Sequence, residues 1–278
     1  MFCFQLIYEP DICSGPERHF MLQATITDHE NSLVYAQTIQ HGLLPKTRHF
    51  QKYFKNHFVL YKPQDKIGGD FYWLTSKGDT LYFALADCTG HGVSGAMLSV
   101  LGISLLNYVI QKNFETVGEY LTELDKKWIE TFNNELSDSH YNNDWLEITL
   151  ISFNTKTREF QYACGGGEFA ILQHNAIKTY KGNNYPIGGW QIEKNRTFDT
   201  HIISVDENAK IYFFSDGLKH QFDSEDQKKF SRKRLMEVLK QTQLLPMDEQ
   251  HEFLEFVFET WKGTTKQTDD VCFIGLEF

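Results

Sequence analysis

A layered α/β sandwich of two mainly antiparallel sheets flanked by helices is the fold class this sequence predicts. Three observations lead there. Short runs rich in aromatic and β-branched residues recur along the chain, as in HFVLYK, TLYFALA and KIYFFS. Most connections between them are too short for parallel crossovers. Stretches of helical period lie between and outside the strands rather than alternating with each one. The chain has 278 residues, 41% hydrophobic and 15% aromatic, enough apolar material for a large packed core.

The elements read in order as follows. Residues 1–28 mix apolar and polar types around Pro10, Gly15 and Pro16 with no clear period, and no function is read there. From about Asp28, the spacing of Leu33, Ala36, Ile39, Gln40 and Leu43 predicts a helix that Pro45 closes. A lone amphipathic helix of this kind needs a partner, either its own domain or a second helix. HFVLYK, DFYWLTS and TLYFALA follow as strands, the last two joined in a hairpin by Lys77, Gly78 and Asp79. Residues 92–112 are apolar nearly all round, which predicts a helix buried on more than one side. The run is long enough to raise a membrane span, but its small residues Gly92, Ser94, Gly95, Ser99, Gly102 and Ser104 argue against one. A helix over Phe114 to Asn133 comes next, then strands LEITLISF, EFQYA, EFAILQ and KIYFFS. Helices near Arg232–Thr242 and Met247–Lys262 precede a last strand, VCFIGLEF.

The formal charge of -10 and pI near 5.5 disfavour nucleic acid as a partner, because phosphate backbones call for clustered Lys and Arg. The cysteines, Cys3, Cys13, Cys88, Cys164 and Cys272, are odd in number and widely spaced, so neither a zinc site nor a disulfide framework is expected. A reduced, cytoplasmic setting is the expectation. The opening MFCFQLIY lacks the basic stretch of a signal peptide and is too short to span a bilayer.

Four aspartates stand at strand ends beside small residues: Gly68-Gly69-Asp70, Ala86-Asp87-Cys88, Ser215-Asp216-Gly217 and Thr268-Asp269-Asp270. Strand ends are rigid mounts, and a neighbouring glycine permits close approach. Singly, each is ordinary turn chemistry. Gathered, four carboxylates repel one another unless cations neutralise them, and oxygen-rich shells suit Mg²⁺ or Mn²⁺.

The ordered motifs YKPQDKIGGDFYW, LYFALADCTGHGVSGAMLSVLGISLLN, NYPIGG, IYFFSDGLKHQF and TDDVCFIGLEF resemble the SpoIIE-type branch of the metal-dependent protein phosphatases, over about residues 30–278. The preceding SLVYAQTIQHGLLP looks like the linker helix that leads into such domains. The resemblance implies a PP2C-like αββα sandwich over residues 46–278, with residues 1–45 as an N-terminal segment carrying a linker or dimerisation helix. It implies a serine/threonine phosphoprotein phosphatase in which Asp87 bridges two divalent ions, Mn²⁺ or Mg²⁺. The Cys88 carbonyl is then a main-chain ligand, Asp70 serves the second ion directly or through water, and Asp216 and Asp269 complete the first, with Asp270 as the fallback. Asp70 and Asp87 are thereby the catalytic carboxylates, hydrolysis proceeding by a water the two ions activate. The substrate implied is a phosphorylated protein of the anti-anti-sigma (STAS-domain) class in a partner-switching pathway. Apart from the resemblance, the surplus apolar surface of the helix from Asp28 to Leu44 and of the helix after Gly92 leads us to expect a homodimer through the N-terminal helix, and no membrane partner is expected.

Two features depart from the family pattern. His91 does not stand where the eukaryotic branch keeps its general acid, so loop shaping or phosphate contact is the expected role. Cys164-Gly165-Gly166-Gly167-Glu168 replaces an Asn-rich turn. No arginine is evident to hold phosphate, and Lys62 and Lys66 read as solvated. Two competing readings remain. Gly68-Gly69-Asp70-Phe71 is similar to a diguanylate cyclase signature, but it lacks the following acid and leaves the other motifs unexplained. A catalytically dead relative acting as a partner-binding regulatory module is the other.

Overall fold

The computed structural model describes residues 16–132, 143–189, 195–225 and 227–278. The readings of MFCFQLIY, Cys3, Cys13 and Asn133 lie outside them. The chain opens with helices α1 (Pro16–Leu43) and α2 (Thr47–Phe50), then β1 (Asn56–Lys62) and the hairpin of β2 (Phe71–Lys77) and β3 (Thr80–Cys88). Helices α3 (Gly92–Val109) and α4 (Val117–Phe132) follow. Next come β4 (Trp145–Asn154), β5 (Phe160–Gly165), β6 (Glu168–Gln173), β7 (Ala176–Lys181), β8 (Ile187–Gly188), β9 (His201–Ile203) and β10 (Lys210–Phe214). Helices α5 (Gly217–His220), α6 (Ser231–Gln241) and α7 (Met247–Lys262) lead into β11 (Val271–Glu277).

The strands form two sheets, one of five strands in the order β1-β11-β10-β6-β7, the other of six in the order β2-β3-β4-β5-β9 with β8 paired to β4. All pairings between the named strands are antiparallel. The sheets pack face to face through large side chains: the Phe83 and Phe213 rings are 4.6 Å apart, and Tyr162 meets Phe169 edge-on at 5.0 Å. Burial of such rings supplies most of the driving force for the layer. Helices α3 and α4 cover the outer face of the six-stranded sheet. Helices α6 and α7 cover the five-stranded one, where Leu235, Leu239, Leu254 and Phe258 join Phe58, Tyr212 and Phe273 in a second core. The αββα layering is the one expected.

Several local expectations need correction. Helix α1 starts at Pro16, well before Asp28. Helix α3 is long and apolar enough to cross a membrane by length and composition, yet it buries one stripe (Gly95, Ser99, Gly102, Ile103 and Leu106 among others) against the protein. It is not buried on several sides, because Val93, Met97 and Tyr108 are exposed. Lys62 is not merely solvated: its Nζ lies 2.7 Å from Glu255 and 2.6 Å from Glu259, tying β1 to α7. Strands β7, β8 and β9 and the one-turn helices α2 and α5 were not anticipated.

Candidate metal centre

Each acidic motif is delivered by the edge of a strand. Asp70 immediately precedes β2, and Asp87 is the penultimate residue of β3, paired across to Glu147 of β4. Asp216 caps α5 just beyond β10, and Asp269 and Asp270 lead into β11. Since β2 and β3 belong to one sheet and β10 and β11 to the other, the acids meet at one end of the sandwich, where the sheets abut.

The loop that carries Asp70 is fixed from both sides. Asp270, 4% exposed, accepts the main-chain N–H of Gln64 at 2.7 Å and of Gly69 at 2.6 Å. The Tyr61 hydroxyl donates to the Asp70 carbonyl at 3.0 Å. From α1, the buried Gln40 amide donates to the Gly68 carbonyl at 2.6 Å and to Ser99 Oγ of α3 at 2.8 Å. Close approach explains the two glycines: a Cβ at Gly68 would stand 2.5 Å from the Asp270 carboxyl, and one at Gly69 would stand 2.9 Å from the Cys88 carbonyl oxygen. The loop therefore lies directly against the main chain at the end of β3.

Electrostatics record the convergence. Asp70 is 1% exposed, and neither of its carboxylate oxygens has a hydrogen-bond partner of good geometry, the nearby Ser215 hydroxyl only partly offsetting its burial. Burial first, then the Asp270, Asp269 and Asp216 charges, hold its carboxyl well above the usual range. Burial does the same to Asp87, followed by Asp70, Asp216, Asp269 and Glu147. Burial, with Asp216 among its neighbours, also raises Asp269 and Glu147. Cys88 and Cys272 are buried thiols pushed up by desolvation and by the same aspartates, so neither is suited to act as a thiolate nucleophile. Among the described residues, no group of three or more His, Cys, Asp or Glu side chains is close enough as it stands to hold an ion, so the acids would have to draw together on one. What the site presents is an all-oxygen, like-charged cluster around a buried carboxylate with no well-formed hydrogen bond, a donor set that fits hard divalent cations.

All four expected aspartates are thus brought to one place. His91 stands at its rim, 3.7 Å from Asp65. The residues the sequence reading missed are Glu147, which LEITLISF hides as an ordinary strand position, and His220, whose Nδ1 lies 3.0 Å from Asp216 Oδ2. Missed too is the network behind NYPIGG, where Asp125 accepts from Gly188 N at 2.7 Å and from the buried Arg196 at 2.7 Å. The SDG-x-x-H spacing, one turn after Asp216, was the available signal for His220.

Compared with known proteins, residues 77–278 match the sequence model of the family described as Stage II sporulation protein E (SpoIIE). This chain belongs to the SpoIIE family. The family consists of PP2C-type serine/threonine protein phosphatases, and this chain is accordingly a phosphoric monoester hydrolase. The match includes Asp87, Cys88, Asp216 and Asp269 and begins beyond Asp70. Among solved structures, the SiaA-PP2C domain of Pseudomonas aeruginosa is similar at a TM-score of 0.80 and 23% identity, covering 92% of this chain and 99% of its own. The PP2C domain of SpoIIE from Bacillus subtilis, solved with a fragment of its regulatory domain, is similar at 0.62 and 14%, covering 80% and 63%. RsbX in complex with magnesium is similar at 0.51 and 17%, covering 79% and 92%. At these identities the likeness is one of fold. No curated protein matches.

Proposed function

We propose that this SpoIIE-family chain hydrolyses phosphoserine and phosphothreonine on a protein substrate with the help of two divalent ions, Mg²⁺ or Mn²⁺, held at the end of the sandwich. The observation that carries the reading is Asp70, a buried carboxylate with neither oxygen in a well-formed hydrogen bond amid Asp87, Asp216 and Asp269. A buried like-charged cluster of this kind is costly until cations neutralise it. Asp87 would bridge the ions, Asp70 would serve the second, and Asp216 and Asp269 would complete the first with the Cys88 carbonyl. RsbX, similar in fold, is a precedent for magnesium. Bound there, the ions supply charge neutralisation and an acidified water.

The chain's own residues do the rest. Asp270 and Gln40 hold the Gly68–Asp70 loop in register, and the Asp125–Arg196 pair holds Gly188 against β4 beside the site. Asp269 rather than Asp270 is the ligand in this reading, because Asp270 already spends both oxygens on main-chain donors. His91 and Asp65, both exposed, face each other at the rim, a loop-shaping contact.

The substrate proposed is a small phosphorylated regulator of the anti-anti-sigma (STAS-domain) class, on the strength of the family. We place the enzyme in the cytoplasm, with which the free thiols of Cys88, Cys164 and Cys272 are compatible. Helix α1 carries exposed Val34, Tyr35, Ile39 and Leu43, a face suited to a second copy of the chain.

The test is turnover of p-nitrophenyl phosphate and of phosphoprotein. The expected result is activity that requires Mn²⁺ or Mg²⁺, vanishes in chelator, and falls by roughly 100-fold or more in Asp87→Asn, as loss of a group acting on charge in the transition state requires. Tight metal binding without any turnover would instead support the partner-binding module.

A further inference from the structure

The loop Cys164–Glu168 has no part in the metal centre as described, yet it ends in an unusual residue. Glu168, the first residue of β6, is 8% exposed and gathers three cations: Lys219 Nζ at 3.1 Å and, on its other oxygen, Arg232 Nε at 3.0 Å and Lys181 Nζ at 3.6 Å. These charges, Lys219 foremost, hold the Glu168 carboxyl below its usual range despite its burial. One cation would neutralise one carboxylate. Two of the three, Lys181 and Lys219, border a cleft shared with the acids Asp87, Asp216 and Glu147, and they are the positive charge an anion entering it would meet.

We propose that Lys219, seated by Glu168, binds the phosphoryl group of the substrate; the inference rests on the phosphatase reading above and names a residue that reading left without a role. Lys219 lies on α5 three residues after Asp216. It lines a cleft of about 210 Å³ together with Asp87, Asp216, Glu147, Lys181 and His220. A water takes up about 30 Å³ of liquid, so the cleft admits a group the size of a phosphoryl. The Lys219 side chain is only 17% exposed, and its field reaches Glu147 on the cleft wall. An ammonium has three N–H donors, and Glu168 takes one, leaving two for phosphoryl oxygens.

The partners of Glu168 differ in their suitability. Arg232 is turned to Thr179, to which it donates at 2.6 Å, and braces Glu168 from outside the cleft. Lys181, 59% exposed, lies at the mouth, where solvent screens it. Lys219 alone of the three is both in the cleft and mostly shielded from water. The carboxylate-rich wall around Asp87 repels a phosphomonoester dianion, and a fixed ammonium in the same cleft offsets that repulsion whatever the metal loading. This also answers the absence of an evident arginine for phosphate in the sequence.

The experiment is a calorimetric titration of the full chain with inorganic phosphate in Mn²⁺, run beside p-nitrophenyl phosphate kinetics. Lys219→Met is expected to weaken phosphate binding by roughly tenfold or more, the usual effect of losing a charge-assisted hydrogen bond. It should raise KM in step with a smaller change in kcat, and Lys219→Arg should recover most of both. Glu168 keeps Arg232 and Lys181 in the methionine variant, so the fold is retained, which the melting temperature checks; Lys219→Gln serves as the second substitution. Phosphate affinity and KM unchanged in both neutral variants would overturn the proposal. Turnover with phosphate binding independent of Lys219 would sink this inference alone, whereas phosphate binding through Lys219 without any turnover would sink the phosphatase reading and reduce Lys219 to an anion contact.

Discussion

Asp270 gives both carboxylate oxygens to main-chain donors, those of Gln64 and Gly69, whereas Asp70, equally buried, has no hydrogen-bond partner of good geometry for either of its own. The difference assigns them opposite duties although they stand in neighbouring motifs. Asp270→Ala should cost about 2–4 kcal/mol of stability, since it orphans two buried N–H groups that a charged acceptor held. Asp269→Asn should leave the melting of the chelated protein within about 0.5 kcal/mol, in the range of partly exposed substitutions, and abolish its stabilisation by Mn²⁺. Thermal melts of the two variants with and without metal separate these outcomes. Asp70 yields a prediction with a definite sign. Burial and its acidic neighbours raise its folded-state pKa, so the folded chain retains a proton the unfolded chain has lost. Stability then falls as pH rises from about 4, the unfolded aspartate value, towards the raised folded value. In chelator, Asp70→Asn should melt above the wild type, with a gap absent below about pH 4 that opens as pH increases. With Mn²⁺ the order should reverse. A gap that does not change with pH would contradict the account.

At the scale of elements, α1 joins two roles. Its buried Gln40 reaches the Gly68 carbonyl and Ser99 of α3, while Val34, Tyr35, Ile39 and Leu43 face outward beside exposed Val93 and Met97 of α3. A second copy packed on that face would also press on the helix that holds the Asp70 loop. Sedimentation should therefore find a dimer that Tyr35→Glu with Ile39→Glu converts to monomer. A monomeric wild type whose activity survives deletion of residues 1–45 would remove this role. The early start of α1 escaped the sequence reading because residues 16–27 offer no clear apolar period. The one-sided burial of α3 escaped it for a related reason: Met97 and Val93 look like core residues, and composition cannot say which face a neighbour covers. Strand β7 was missed because AIKTYK alternates as an exposed edge does, and β8 is a two-residue bridge that only its pairing with Trp145 and Leu146 defines.

For the whole molecule, what was legible in the sequence is what local chemistry writes. Apolar strands, the Gly78 hairpin and the small residues beside each aspartate identified the layers and the four strand ends. The order of strands was not legible. Pairing β1 with β11 joins residues from opposite ends of the chain, and no local signal encodes that register. The same limit hid the ion pair of Asp125 with Arg196 and the gathering of Lys181, Lys219 and Arg232 on Glu168, since each member read alone is an ordinary surface charge. The aspartates could be listed from the sequence, but only the sandwich, with two motifs from each sheet, explains why they share one end. The most direct measurement of that claim is anomalous diffraction from crystals grown with Mn²⁺. The account predicts two adjacent ions, both touching Asp87, with Asp70 on one side and Asp216 and Asp269 on the other. Ions bound elsewhere, or a centre that does not involve Asp87, would contradict it.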